Sequence, residues 1–115
     1  MNALAEPVRS LDARYYTDPA IFAAEKAGVL ARTWQFACHA SQLEHPGDYY
    51  AFDLGDESLF CIMGRDRVIR TFYNVCQHRA HQLVQGNGST RVVVCPYHAW
   101  TYELTGKLRA APNTK

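Results

Sequence analysis

Two cysteine–histidine pairs constrain this chain more than any other feature. "VCQHRAHQL", residues 75–83, carries Cys76 and His78, and "VVVCPYHAW", residues 92–100, carries Cys95 and His98. Each pair follows a run of strand-forming residues, "FYNV" before the first and "VVV" before the second, so each sits just beyond the end of a predicted strand. Two loops at the same end of a small sheet can meet at their tips and enclose a metal centre. The fold must bring these loops together if the pairs are to act as one.

The pattern is Cys-x-His, sixteen residues, then Cys-x-x-His. Two thiolates and two imidazoles can bind one tetrahedral zinc, or a [2Fe–2S] cluster in which the cysteines hold one iron and the histidines the other. The spacing favours the cluster. Cys-x-His leaves little room for both side chains to reach one ion, and zinc sites more often use Cys-x2–4-Cys or His-x3–5-His pairs that chelate together. Split between two irons, each loop gives one ligand to each. Neutral imidazoles in place of two thiolates also make the cluster less negative and easier to reduce.

Composition narrows the setting. A chain of 115 residues, 48% hydrophobic and 20% charged, reads as one ordinary globular domain. A net charge of +1 with no basic run gives no case for nucleic acid or an anionic membrane surface. No apolar stretch approaches the ~18 residues needed to span a bilayer. The start, "MNALAEPVRSLDARYY", lacks the pattern of a secretory signal. A cytoplasmic location is therefore expected, where thiols stay reduced. The four cysteines (Cys38, Cys61, Cys76, Cys95) then read as ligands or buried thiols, not a disulfide framework.

Residues 1–45 read as a partly helical lead-in, and residues 46–115 as a β domain. Asp18-Pro19 is a good N-cap and first-turn pair. From it "AIFAAEKAGVLARTW" runs as an amphipathic helix with Phe22, Val29 and Thr33 on one side, Ile21, Leu30 and Trp34 beside them, and Gly28 as a weak spot. A short strand is expected at "WQFACHA" and a turn at His45-Pro46-Gly47. A meander follows: "DYYAFDLG" with Tyr50, Phe52 and Leu54 on one face, a turn at Gly55-Asp56, "ESLFCIMG", a turn at 64–66 and "RVIRTFYNV". "QGNGST" at 85–90 reads as a loop. Val92–Val94 and a hairpin turning at Thr105-Gly106 complete a mostly β fold. Trp34, Tyr50, Phe52 and Phe72 read as core, Cys38 and Cys61 as small buried residues, and His39 and His45 as surface or turn residues. His81 reads as a support for its loop, and Tyr97 and Trp100 as shields for the centre.

From Tyr15 onward the chain resembles the N-terminal Rieske domain of the large (α) subunit of Rieske-type non-haem iron oxygenases. The likeness rests on "YYTDPAIF", Trp34, "PGDY", "FYNVCQHRAHQL" and "CPYHAWTYELTGKL". The family pattern C-x-H-R-[GA] is met by Cys76, His78, Arg79 and Ala80, with Ala80 where glycine is commoner. C-P-x-H-x-W is met by Cys95, Pro96, His98 and Trp100. The resemblance implies a Rieske-type antiparallel β-sheet domain with cluster-binding loops, and Cys76, His78, Cys95 and His98 as ligands of a [2Fe–2S] cluster. It further implies an electron donor, a reductase or ferredoxin. The acceptor it implies is a mononuclear Fe(II), held in a separate catalytic domain by two histidines and a carboxylate, that activates oxygen on an aromatic or quaternary-amine substrate. That domain is absent here, since the chain contains no His-x4-His-type pair. The acceptor lies in the same or a neighbouring subunit, often in a trimer, and His98 corresponds to the histidine that faces it. The helical lead-in matches the oxygenase subunits better than it matches a stand-alone Rieske ferredoxin; a zinc module is the remote alternative. High-potential respiratory relatives have a disulfide and a serine where this chain has His81, Tyr97 and Trp100, so the resemblance implies a potential toward the bottom of the Rieske range. On that reading the Trp100 indole is poorly placed to replace the serine hydroxyl.

Overall fold

The computed structural model describes residues 6–114; residues 1–5, part of the stretch read as lacking a secretory signal, and Lys115 lie outside the described residues. Contacts divide the chain into two compact units, Met1–Gln35 and Phe36–Lys115. The first is helical. α1 is Arg14–Thr17 and α2 is Pro19–Glu25, capped as the sequence leads one to expect: the Asp18 carboxylate accepts from the Ala20 N–H at 2.8 Å, with Pro19 in the first turn.

The helix then widens into a π-helical turn over Lys26–Leu30, centred on Gly28. A π-turn adds residues to the turn and shifts the phase of everything downstream. The stripe that joins Phe22 to Val29 and Thr33 on a regular helix is broken there. Ile21 and Leu30 are half-buried, while Phe22, Val29 and Trp34 are exposed. Trp34 is thus not a core residue.

The strand expected at residues 34–40 does not form. His39 instead caps a short 3-10 helix, Ala40–Leu43: its Nδ1 accepts from the Ser41 N–H at 3.2 Å, and its own N–H donates to Gln42 Oε1 at 3.0 Å. This reciprocal cap satisfies locally the backbone groups that a ladder would have used. Leu43, carried by that turn, is fully buried.

The β meander is present as β1 (Asp48–Leu54), β2 (Glu57–Met63) and β3 (Ile69–Tyr73). Leu54 faces Glu57 across the two-residue turn Gly55-Asp56. The next turn is held by the Arg70 fork on Asp66 (2.7 and 2.9 Å), which keeps that carboxyl at about 2. A further strand was not legible. Asn87–Ser89, inside the stretch read as a loop, is β4 and pairs with Asp48–Tyr50, giving a sheet of order β3-β2-β1-β4. The join is close at Gly47 (φ +94°), where a Cβ would lie 2.0 Å from the Thr90 carbonyl oxygen, so only glycine fits. β5 (Val93–Val94), β6 (Thr101–Tyr102) and β7 (Leu108–Ala110) make a second antiparallel sheet, in that order.

Strand alternation buries both faces of the first sheet. Phe60 and Ile62, with Tyr49, Ala51 and Phe72 against them, join Val93, Tyr102, Leu104, Cys76 and Cys95 in the main core. On the other face Cys61 and Met63, with Tyr50 and Phe52, pack against Leu43, Ala37 and Cys38. Cys61 is a small buried residue as expected, its sulfur 3.1 Å from Thr71 Oγ1.

Candidate metal centre

The two loops that carry the Cys–His pairs leave the two sheets, β3 feeding one and β5 the other, and they are built alike. In the first, the Ala80 N–H donates to the Cys76 carbonyl and the Cys76 N–H to the His81 carbonyl, both at 2.8 Å. In the second, the Ala99 N–H donates to the Cys95 carbonyl at 2.9 Å and the Cys95 N–H to the Trp100 carbonyl at 2.8 Å. Each loop closes through an alanine at positive φ, +54° for Ala80 and +60° for Ala99. This conformation strains any residue with a Cβ by roughly 1–2 kcal/mol and gives the family's preference for glycine at the first position a backbone reason.

Asn74, at the root of the first loop, was not singled out from the sequence. It is 1% exposed. Its Oδ1 accepts from the N–H groups of Leu83 and Val84 at 3.0 Å, and its Nδ2 donates to the Val84 carbonyl at 2.7 Å. One side chain thereby ties the start of the loop to its end.

At the tips the expected residues meet in pairs, thiol with thiol and ring with ring. Cys76 and Cys95 are 3% and 2% exposed, and the His78 and His98 rings lie 4.7 Å apart at 66°. Nδ1 of His78 and Nδ1 of His98 are both buried with no hydrogen-bond partner. Buried imidazole nitrogens without a partner are costly unless something ligates them. Burial pushes the Cys76 thiol up, but hydrogen bonding from Tyr102, the His78 backbone, Cys95 and the Arg79 backbone outweighs it and holds the thiol below its usual range. Burial, then the neighbouring His78, Arg79 and His81 charges, lower the His98 imidazole and favour its neutral form. Thiolate and neutral imidazole are the ligating forms. Among the described residues no three His, Cys, Asp or Glu side chains close on a single point as a mononuclear ion requires.

Aromatic residues flank the site. Trp100 stacks on His78, with centroids 4.8 Å apart and planes within 5°. Tyr97 packs on His98 at 3.9 Å, and His81 lies 5.6 Å from Tyr97 while its Nδ1 meets the Gln82 carbonyl at 2.7 Å. Tyr102 is the second residue missed, because on β6 it reads only as a core aromatic. Its hydroxyl accepts from the Gln77 N–H at 3.0 Å, which leaves the phenolic proton free to point at Cys76 Sγ, 3.3 Å away. Burial and the Cys76 contact raise the phenol further, so it stays a donor. This is a hydrogen bond to a cysteine sulfur, separate from the serine bond of the high-potential relatives. Such bonds stabilise the reduced, more negative state of an iron–sulfur centre. Tyr102→Phe should therefore lower the midpoint potential by about 60 mV, a tenfold change for one electron. Voltammetry showing no shift would remove this role.

The arrangement defines a small β domain with a loop-borne, two-thiol, two-imidazole centre. The family model for the Rieske [2Fe-2S] domain matches residues 33–115, and the chain belongs to that family. Domains of this family bind a [2Fe–2S] cluster, and the buried thiols and orphaned imidazole nitrogens fit that group. The chain is 45% identical, over 97% of its length, to the carnitine monooxygenase oxygenase subunit of Escherichia coli K12, of which it covers 31%. It is 38% identical, over 90% of its length, to the 2-aminobenzenesulfonate 2,3-dioxygenase subunit alpha of an Alcaligenes species, of which it covers 27%. The apo crystal structure of the quaternary ammonium Rieske monooxygenase CntA superposes with a TM-score of 0.84 at 41% identity, over 90% of this chain and 31% of that one. The chain thus spans about a third of the length of the relatives it matches. No helix among the described residues is long and apolar enough to cross a membrane.

Proposed function

We propose that these residues form the electron-transfer domain of a Rieske oxygenase, with Cys76 and Cys95 holding one iron of the cluster and His78 and His98 the other. The observation that carries this is the pairing of two buried thiols with two buried, partnerless Nδ1 atoms in loops of matching construction. When bound, the cluster supplies reversible one-electron chemistry. The protein's own part is to favour the thiolate of Cys76, through the Tyr102 hydroxyl and the backbone amides, and the neutral imidazole of His98, through burial and the neighbouring positive charges.

The electron donor is a reductase or ferredoxin. The acceptor is the mononuclear iron of a catalytic domain in the same or, in a trimer, a neighbouring subunit, approached from the half-buried His98 edge. The likeness to a carnitine monooxygenase is stronger than that to an aromatic sulfonate dioxygenase, 45% against 38%. It points to a quaternary-amine substrate for the oxygenase served. Reduced thiols at Cys38 and Cys61 suit a cytoplasmic setting.

Iron, zinc and acid-labile sulfide analysis of the purified protein tests the reading. Two irons and two sulfides per chain, in a red-brown protein, are expected. One zinc and no sulfide would make this a zinc module. A cluster-bearing protein whose gene encodes no further domain would make it a stand-alone Rieske ferredoxin.

A further inference from the structure

We propose that the Trp100 indole N–H is a hydrogen-bond donor to a sulfur of the [2Fe–2S] centre, so that this residue tunes the potential as well as walling the site. The proposal rests on the ligand reading given above.

Among the described residues three buried side-chain nitrogen or oxygen atoms lack a partner: Nδ1 of His78, Nδ1 of His98 and Nε1 of Trp100. The first two are assigned to iron. The third is a different chemical case. An indole nitrogen is a donor only, and burying it unpaired costs about 1–3 kcal/mol. It therefore needs an acceptor, and no acceptor among the described residues reaches it. The sulfurs of an iron–sulfur centre are electron-rich acceptors, and hydrogen bonds to them are an established means of setting its potential.

Position supports the assignment. Trp100 directly ends the second ligand loop, and its carbonyl is fixed by the Cys95 N–H at 2.8 Å. Its ring lies parallel to the His78 ring, 4.8 Å away and within 5°, and it packs on the core group that contains Cys76 and Cys95. The stacking fixes the plane of the indole, and burial keeps Nε1 from turning to water. One group would thus satisfy all three orphaned nitrogens, two by ligation and one by accepting its proton. From sequence alone the indole is poorly placed to replace the serine hydroxyl of high-potential relatives. A parallel stack on a ligand histidine keeps the bulk over the ring and leaves the N–H edge free to serve.

Two measurements on the cluster-loaded protein test this. Trp100→Phe keeps a ring over His78 but deletes the donor. The expected result is an intact [2Fe–2S] spectrum and about a tenfold loss in the reduced-to-oxidised ratio at fixed potential. Independently, wild-type protein with 15N-indole tryptophan should show a 15N coupling in pulsed EPR of the reduced cluster. Trp34→Phe should retain that coupling and Trp100→Phe should lose it. If Trp100→Phe does not load, the coupling in the wild-type protein decides. An unchanged midpoint in Trp100→Phe, or a wild-type cluster with no indole coupling, overturns the proposal while leaving the ligand reading intact. Wild-type protein that holds zinc, or Cys76→Ser protein that keeps a normal cluster, would instead overturn the ligand reading itself.

Discussion

Cys76→Ser and Cys95→Ser should each abolish the [2Fe–2S] chromophore, whereas Cys61→Ser and Cys38→Ser should keep it. All four thiols are free, and three are buried, so burial does not separate ligand from packing residue. Setting does. Cys76 and Cys95 occupy equivalent places in two loops of the same design, each with its N–H donated to a carbonyl five residues on. Each lies beside a histidine with a partnerless buried nitrogen. Cys61 faces the opposite side of the first sheet, against Thr71, Leu43 and Cys38. Burial first, then the neighbouring Cys61, raises the Cys38 thiol, which disfavours the ligating thiolate. A serine at either loop position offers a harder, poorer ligand and leaves one iron with a single protein thiolate. Because ligation is coupled to folding, the two loop variants should also melt at lower temperature than the cluster-loaded wild type. Retention of the cluster in Cys76→Ser, or its loss from a folded Cys61→Ser, would show that the wrong thiols have been chosen.

How far the sequence revealed this depended on whether a feature was written in side chains. The paired Cys–His loops of the family, the Asp18 cap and the β1–β2–β3 meander were legible because spacing, capping chemistry and alternation each have a residue signature. β4 had none: Asn-Gly-Ser is turn-like in composition, and it becomes a strand because backbone groups beside a glycine reach β1. The π-turn at Lys26–Leu30 was equally hidden, since Gly28 marks a weak point without specifying how the helix yields. At His39 a local side-chain cap prevailed over strand propensity. Tyr102 went unrecognised for a related reason. Its hydroxyl acts across a separation of 26 residues, which no local pattern encodes.

Asn74 is the clearest instance of this long-range kind, and its removal should have the second largest effect. It follows Tyr73, the last residue of β3, in a run that reads simply as strand, "FYNV". Its N–H donates to the Ser58 carbonyl at 2.8 Å, which keeps the backbone in line with β2 beyond the end of the ladder. The amide then serves both ends of a backbone segment, accepting from the Leu83 and Val84 N–H groups and donating to the Val84 carbonyl. Its remaining proton reaches Ser58 Oγ at 3.3 Å. Asn74→Ala would leave those main-chain groups without partners beside a packed core, at about 1–3 kcal/mol each where water cannot reach. With Leu83 and Val84 only half-buried, water recovers part of this, and a net loss of about 3–4 kcal/mol follows. That is a large fraction of the 5–15 kcal/mol typical of a domain. The loss should be local first: the loop from Cys76 to Gln82 frees itself while β1, β2 and β3 stay paired. Cluster loading should accordingly fail under milder denaturant than sheet unfolding, and Leu83 and Val84 amide exchange should accelerate to near-solvent rates. Ser58→Ala, which removes only the weakest of these contacts, should change little. If Asn74→Ala protein loaded and unfolded as wild type does, the first ligand loop would have to be held by its own turn hydrogen bonds, and the convergence of the two loops by the cluster alone.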